Sequence, residues 1–323
     1  MIIPERWLRS FVDPKMRIEE LAQLLTMSGL EVESCERVAP RFSGVVVGEI
    51  LAVERHPNAD TLTVCTVNAG KEKLKVVCGA PNVRAGMKAP LATVGSVLGS
   101  LEIKNTKLRG VDSQGMLCSA KELGLSDDHS GLLELAADAR PGKDVYRALR
   151  LDERVLTFKL TPNRADCLSV LGIAREVAAL TGSKLKKLDV KKIPATNKST
   201  HPVRISDADG CGRFTGRVIR NVNAAAPTPA WMRERLQRAG QRPISALVDV
   251  TNYVMLELGR PLHVYDQDKL KGAIDVRWGR KGEKVLLLNG QEVEVDPGVL
   301  CITDDSGPIG LAGIMGGEST KAE

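Results

Sequence analysis

Val45-Val46-Val47-Gly48-Glu49-Ile50-Leu51-Ala52-Val53-Glu54, then His56-Pro57-Asn58-Ala59-Asp60, then Leu62-Thr63-Val64-Cys65-Thr66-Val67, is the stretch whose reading decides the fold. β-branched residues dominate its two runs and alternate with polar ones, as in strands that bury one face. A Pro-Asn pair between them reads as a turn. Asn68-Ala69-Gly70-Lys71 turns the chain again, Leu74-Lys75-Val76-Val77-Cys78 continues, and Pro81-Asn82, Ala85-Gly86 and Gly99 punctuate the residues after it. Short strands joined by Gly- and Asn-rich turns predict a small closed β-barrel. Lys107-Leu108-Arg109-Gly110 and Gly115-Met116-Leu117-Cys118-Ser119 belong to the same unit, which ends in Glu122-Leu123-Gly124-Leu125 and the polar Ser126-Asp127-Asp128-His129.

Outward from this unit the period changes. Ile18, Leu21, Leu24 and Leu25 make a helical stripe that Gly29 stops, and Leu30-Glu31-Val32-Glu33 alternates like a short strand. This is too little to fold alone. A second helical run, Leu168, Leu171, Ala174, Val177 and Ala178, comes after Thr161-Pro162-Asn163-Arg164-Ala165-Asp166 and ends at Gly182. Asp166 is its expected N-cap. The two helices are expected to pack together, so that the barrel is an insertion in a small split domain. From Lys184 to Thr200 the chain is rich in Lys, Ser and Thr and reads as a solvated linker. Beyond it, Arg213 to Val222 reads as a strand. Thr228-Pro229 opens a helix with a cap and a first-turn proline. A further helix begins after Ser245, with Leu247, Val250, Val254 and Leu258 on one face and Gly259 as its stop, before alternating β segments with Gly-rich turns. The predicted fold class is multidomain α+β: a split N-terminal domain over 1–38 and 151–190, an inserted barrel over 39–150, a linker over 191–200 and a mixed α/β domain over 201–323.

Bulk properties set limits. A chain of 323 residues exceeds one ordinary core, so two or three domains are expected. A net charge of +6 and a pI of about 8.9 permit a polyanionic partner without demanding one. Seven scattered cysteines form no C-x-x-C pair, which argues against structural zinc and for reduced thiols in a cytoplasm. No leader sequence and no uncharged apolar run of membrane-spanning length is read. There is no G-x-x-x-x-G-K-[ST] loop, Gly210-Cys211-Gly212…Gly216 misses the dinucleotide spacing, and no nucleophile elbow occurs. No cofactor is expected on this chain.

The motif His56-Pro57-Asn58-Ala59-Asp60, with Lys107-Leu108-Arg109-Gly110 and Gly115-Met116-Leu117-Cys118-Ser119, resembles the tRNA-binding oligonucleotide-binding (OB) fold of bacterial phenylalanyl-tRNA synthetase β subunits. The resemblance runs from about Gly44 to Leu135. Thr161 to Ser169 and Val248-Asp249-Val250-Thr251-Asn252-Tyr253-Val254 extend it over nearly the full chain, and the distal domain looks like that family's editing domain. It implies tRNA(Phe) as partner, an α subunit carrying aminoacylation in an (αβ)₂ assembly, and hydrolysis of tyrosine mischarged onto that tRNA. ATP and magnesium are implied for the complete enzyme only. The family's pocket also uses residues beyond Glu323, so the resemblance implies a fragment with an incomplete editing domain, inactive alone. The alternative is a stand-alone tRNA-binding protein whose distal domain is a non-catalytic scaffold.

Two groups of side chains are candidates for a site. No Phe, Tyr or Trp lies between Phe42 and Tyr146, so RNA contact by the barrel rests on phosphate and shape, through Lys71, Lys73, Lys75, Arg84, Lys104, Lys107 and Arg109. With Glu72, Glu102 and Asp112 interleaved, the same residues equally describe a solvated surface. His56 reads as a hydrogen-bonding loop residue, and His129 beside Asp127 and Asp128 as a loop or cap residue rather than a metal ligand. In the distal domain, Thr251 and Asn252 offer neutral donors and acceptors, and His263 titrates near neutral pH. Alone, His263 reads as structural. By the resemblance, Thr251, Asn252 and His263 match the editing residues, with Pro261 and Gly316 on the substrate side.

Overall fold

The chain leaves its first unit early and returns late. In the computed structural model, which describes residues 1–323, one unit comprises Met1–Val32 with Thr157–Glu323 and the other comprises Glu33–Leu156. The first unit begins with strand β1 (Ile2–Pro4), helix α1 (Glu5–Phe11) and helix α2 (Ile18–Met27). α1 buries Trp7, Leu8 and Phe11, and Arg9 ties it to Glu5 at 2.7 Å and Asp13 at 2.9 Å. α2 buries Ile18, Leu21 and Leu25 of the expected stripe, with Ala22 added and Leu24 only half-buried, and Gly29 follows the Ser28 cap at φ 91°. Strand β2 (Glu31–Arg37) carries the chain out.

The second unit contains β3 (Phe42–Arg55), β4 (Thr63–Asn68), β5 (Lys73–Cys78), β6 (Lys88–Leu98), β7 (Leu101–Glu102), β8 (Thr106–Leu108), β9 (Val111–Ser113), β10 (Gly115–Leu117) and helix α3 (Val145–Ala148). The strands expected from Val45, Leu62 and Leu74 onward are present. The main sheet runs β10-β6-β3-β4-β5, with β7 on β6, and β8 and β9 form a separate hairpin. One core holds Ile50, Cys65, Val67, Val76, Ala89 and Leu91, and another holds Val45, Val47, Ala92, Cys118 and Leu123. Gly48 lets the neighbouring strands pack tightly over it, because a Cβ there would stand 2.8 Å from Val67 Cγ1 and 2.9 Å from Leu91 Cβ. No ladder joins β5 to β10. Instead Gln114 N donates to Lys75 O at 2.8 Å, and Val77 N to Ser113 Oγ at 3.0 Å, satisfying the outer edge of β5.

Strand β11 (Arg154–Lys159) brings the chain back to α4 (Val170–Thr181), which is ended by Gly182 at φ 67°. Its N-cap is Ser169, whose Oγ accepts from Gly172 N at 2.9 Å, and not Asp166. Asp166 is held instead by the Arg164 guanidinium at 3.1 Å, which draws it away from the helix end. Of the two N-terminal helices, it is α1 and not the more obvious α2 that packs on α4. α1 is under two turns long, too short for a periodic signal. Residues 182–202 have no regular secondary structure.

The distal part adds β12 (Val203–Ile205), α5 (Ala230–Arg238), α6 (Ala246–Leu258), β13 (Ile274–Trp278), β14 (Glu283–Leu286), β15 (Glu292–Val295), β16 (Leu300–Asp304), β17 (Gly307–Leu311) and β18 (Met315–Gly316). The sheet order is β12-β13-β16-β17-β18, and β14 and β15 pair apart. Three expectations need correction. Arg213 to Val222 is not a strand: it finds no ladder partner, and an alternating pattern without one stays coil. Pro229 stands at the cap position of α5, one residue earlier than expected, and Thr228 donates to Asp249 Oδ2 at 2.5 Å instead of capping. On α6, capped by Ser245 and ended by Gly259 as expected, the buried residues are Asp249 and Tyr253. Val250 and Leu258 of the expected stripe are 44% and 36% exposed, because Tyr253 turns the helix toward an aromatic neighbour.

That neighbour is Trp7, which is 1% exposed. Its indole donates to Glu257 Oε2 at 2.8 Å, the Tyr253 hydroxyl donates to the same carboxylate, and Arg235 lies over the Trp7, Trp231 and Tyr253 rings. All seven cysteines are free thiols and five are buried, filling core space as small hydrophobes. No helix is long and apolar enough to cross a membrane.

Candidate functional site

The two signature motifs of the second unit meet. His56 is 5% exposed; its Nδ1 accepts from Asn58 N at 3.1 Å, which assigns the proton to Nε2, and Nε2 donates to Leu108 O at 3.1 Å. Asn58 Nδ2 donates to Arg109 O at 2.9 Å. His56 is thus the hydrogen-bonding loop residue expected, and it fastens the loop to the β8–β9 hairpin. Arg109 and Gly110, at φ 47° and 91°, form the two-residue connection between the paired Leu108 and Val111. Positive φ at both positions matches the right-handed twist of a hairpin. Arg109 accepts a strained backbone there and presents its guanidinium outward.

Lys71, Lys73 and Lys75 are exposed on β5 and its entry turn, while the alternate residues Leu74 and Val76 point into the core. Through Ser113 and Gln114, the Lys75–Val77 part of β5 lies beside the hairpin that carries Lys107 and Arg109, whereas Lys71 and Lys73 stand at the other end of β5, where Lys73 pairs with Asn68. None of the five has an acidic partner within ion-pair distance, although Lys107 is opposite Asp112 in register. Arg84 and Lys104 differ: Arg84 pairs with Glu134, and Lys104 with Glu102 at 3.4 Å, which leaves less charge for a ligand. His129 is exposed, with Nδ1 against Asp127 O at 3.1 Å. Asp166, Cys167 and Glu176 converge as potential metal ligands, but Arg164 already stands among them, 3.0 Å from both Cys167 Sγ and Glu176 Oε1.

In the distal part, His263 and Gly316 are brought together. A Cβ at Gly316 would lie 2.1 Å from His263 Cε1, so only glycine admits the ring at this depth. The edge of Tyr265 meets the imidazole with centroids 4.5 Å apart at 66°. His263 keeps an exposed side, yet the faces on Gly316 and Tyr265 are withdrawn from water, and this desolvation lowers its pKa below 6.5. The same desolvation favours the neutral imidazole. Burial pushes Tyr265 up to about 12. Thr251 and Asn252 are half-buried on α6, which packs on α4 and α5, and Thr251 spends its hydroxyl proton on Val248 O at 2.7 Å. No hydrogen bond links them to His263, and Pro261 is exposed in the loop between.

Sequence reasoning missed Asp249. It is 1% exposed, accepts from Thr228 Oγ1 and from Ile244 N at 2.9 Å, and so fixes the start of the helix that carries Thr251 and Asn252. An acidic residue in the first turn of the helix, close behind its Ser245 cap, was the available signal.

Residues 45–144 match the family described as "Putative tRNA binding domain", and residues 210–323 match the B3/4 domain family. The chain is 56% identical over 328 residues to the phenylalanine–tRNA ligase β subunit of Burkholderia lata, covering 99% of this chain and 40% of that protein. It is 57% identical over 323 residues to that of Bordetella bronchiseptica, with the same two coverages. The chain therefore spans about 40% of the length of these relatives. Over 99% of its length this chain is thus similar to phenylalanine–tRNA ligase β subunits, with one stretch matching the tRNA-binding domain family and another the B3/4 domain family.

Proposed function

We propose that this chain is the tRNA-binding and proofreading part of a phenylalanine–tRNA ligase β subunit. In this reading 1–38 and 151–190 form a split domain, 39–150 an OB-fold barrel that holds tRNA(Phe), 191–200 a linker, and 201–323 the editing domain. The bonds from Ser113 and Gln114 to β5 support the barrel reading. Aminoacylation, with its ATP and magnesium, belongs to an α subunit in an (αβ)₂ enzyme of the cytoplasm. The stand-alone scaffold reading is not favoured, because the similarity to ligase β subunits runs over 99% of the chain.

Energetics explain why editing is needed. An apolar pocket sized for phenylalanine rejects an isostere with one extra hydroxyl by only about 10². A second site that hydrogen-bonds the phenol selects it positively, since phenylalanine would leave a buried polar group unpaired at about 1–3 kcal/mol. Ester hydrolysis then needs a held water and a neutral base. The observation that carries this reading is the His263 ring seated on Gly316; in that reading Thr251 and Asn252 on α6 serve as neutral donors and acceptors and Pro261 shapes the loop. The complete enzyme is expected to release tyrosine from Tyr-tRNA(Phe), and His263→Ala to slow that release. Undiminished deacylation in both His263→Ala and Asn252→Ala returns the distal domain to a scaffold.

A further inference from the structure

Residues 184–200 hold six lysines and one acid, Asp189, and residues 211–222 hold three arginines and no acid. The fold lays these two irregular segments side by side. Arg217 donates to Ile193 O at 3.1 Å, and Arg220 Nε donates to Ser199 Oγ at 2.7 Å. At the upstream end, Lys186 N donates to Phe11 O at 2.7 Å and anchors the strip. Lys191, Lys192, Lys198, Arg217 and Arg220 are all exposed, and none has a carboxylate within ion-pair distance. Both arginines keep further donors directed to solvent. A flexible spacer has no need of two arginines that fix it to a second cationic segment.

We infer that this paired strip is a second RNA-contacting surface, which holds the phosphodiester backbone without reading sequence. The inference rests on the proposed tRNA binding and extends it to a part of the chain outside the matched tRNA-binding domain. Nine cations against one acid along an extended path complement a polymer that carries one charge per nucleotide. The most exposed apolar residues between them, Val190, Ile193 and Ile219, are aliphatic, and the one aromatic of the strip, Phe214, is half-buried, so contact rests on charge and aliphatic surface more than on base stacking. Their side chains and the lysine stems can lie against ribose while the charged ends reach phosphate.

The test measures binding of a labelled, unmodified tRNA transcript to the 323-residue chain by fluorescence anisotropy across a salt series. Lys191→Ala/Lys192→Ala/Lys198→Ala is compared with Lys71→Ala/Lys73→Ala/Lys75→Ala. The strip variant is expected to bind about tenfold more weakly, with the slope of log K against log salt reduced by about 2, since each lost phosphate contact removes roughly 0.7–0.9. Bound tRNA should also shield Lys191 and Lys192 from acetylation by a reactive ester. If affinity and slope stay unchanged in the strip variant while the Lys71/Lys73/Lys75 variant weakens, the strip is not an RNA surface and the tRNA-binding reading survives. If neither variant moves, both readings fall. Equal competition by poly-glutamate at matched charge would overturn the RNA assignment in favour of an acidic protein partner.

Discussion

Trp7 stacks on Tyr253 with ring centroids 4.9 Å apart and planes 15° from parallel, joining the first helix of the chain to α6. Trp231 meets the same tyrosine edge-on at 5.2 Å, and Glu257 accepts from both Trp7 and Tyr253. Burial and the Glu257 carboxylate push the Tyr253 phenol far above its ordinary range, so it stays a hydrogen-bond donor. The terminal segment thereby helps to set the rotation of the helix that bears Thr251 and Asn252.

Trp7→Ala is expected to destabilise the first unit by about 3–5 kcal/mol, the usual cost of truncating a buried indole. Trp7→Phe keeps a ring but leaves Glu257 short of a donor, and should cost about 1–3 kcal/mol. Urea unfolding followed by circular dichroism measures both. Equal midpoints for wild type and Trp7→Ala would show that the stack is not a stabilising contact.

Gly316→Ala places a methyl group where His263 now lies. Displacing the ring should cost about 1–3 kcal/mol and shift the His263 Cε1–H resonance. Under the proposed editing function, deacylation of Tyr-tRNA(Phe) by the complete enzyme should fall together with that shift. A variant whose resonance stays in place would contradict the close approach.

His263 also predicts a pH dependence. Its folded pKa is lowered by desolvation, so between that value and 6.5 the unfolded chain binds more protons than the folded one. Its contribution is therefore complete above 6.5 and is lost as pH falls through the folded value. NMR titration of the ring should give a midpoint below 6.5, and His263→Asn should flatten the stability curve in that window.

Arg277 and Glu283 form a two-bond pair, at 2.9 and 2.6 Å, with only 13% and 20% of their side chains exposed. The Arg277 guanidinium, with help from Arg280 N, holds the Glu283 carboxyl below its ordinary 4.5. The pair contributes above pH 4.5 and its contribution is lost as acid titrates Glu283 in the folded state. Glu283→Gln should lower the denaturation midpoint at pH 7 and converge with wild type in acid.

His56→Ala removes a buried ring and takes its partner from Leu108 O and Asn58 N; both belong to exposed residues that water can reach, so each lost bond should cost about 0.5–1.5 kcal/mol. Faster amide exchange at the β8–β9 hairpin is expected, with weaker tRNA binding as Lys107 and Arg109 lose their fixed position. Unchanged exchange at Val111 and Asp112 would separate His56 from the hairpin.

Much of the second unit is legible because strand alternation is a local signal. Val45 to Glu54 and Leu74 to Cys78 each commit one face to the core whatever lies elsewhere. Helix ends are legible where a single residue controls them, as Gly182, Ser245 and Gly259 do, and obscure where neighbours compete, as Arg164 does for Asp166. The candidate editing residues rest on resemblance, since Thr251 and Asn252 show no chemistry in isolation.

The sequence by itself determined the alternating strands, the α2 stripe and the left-handed glycine stops, since each depends on residues within a turn or two of one another. Tertiary structure alone decided that α1 packs on α4, that α6 turns Tyr253 and not Val250 inward, and that Arg213 to Val222 stays coil beside the linker. Those outcomes depend on partners far away in the chain, where burial and ladder pairing outweigh local preference.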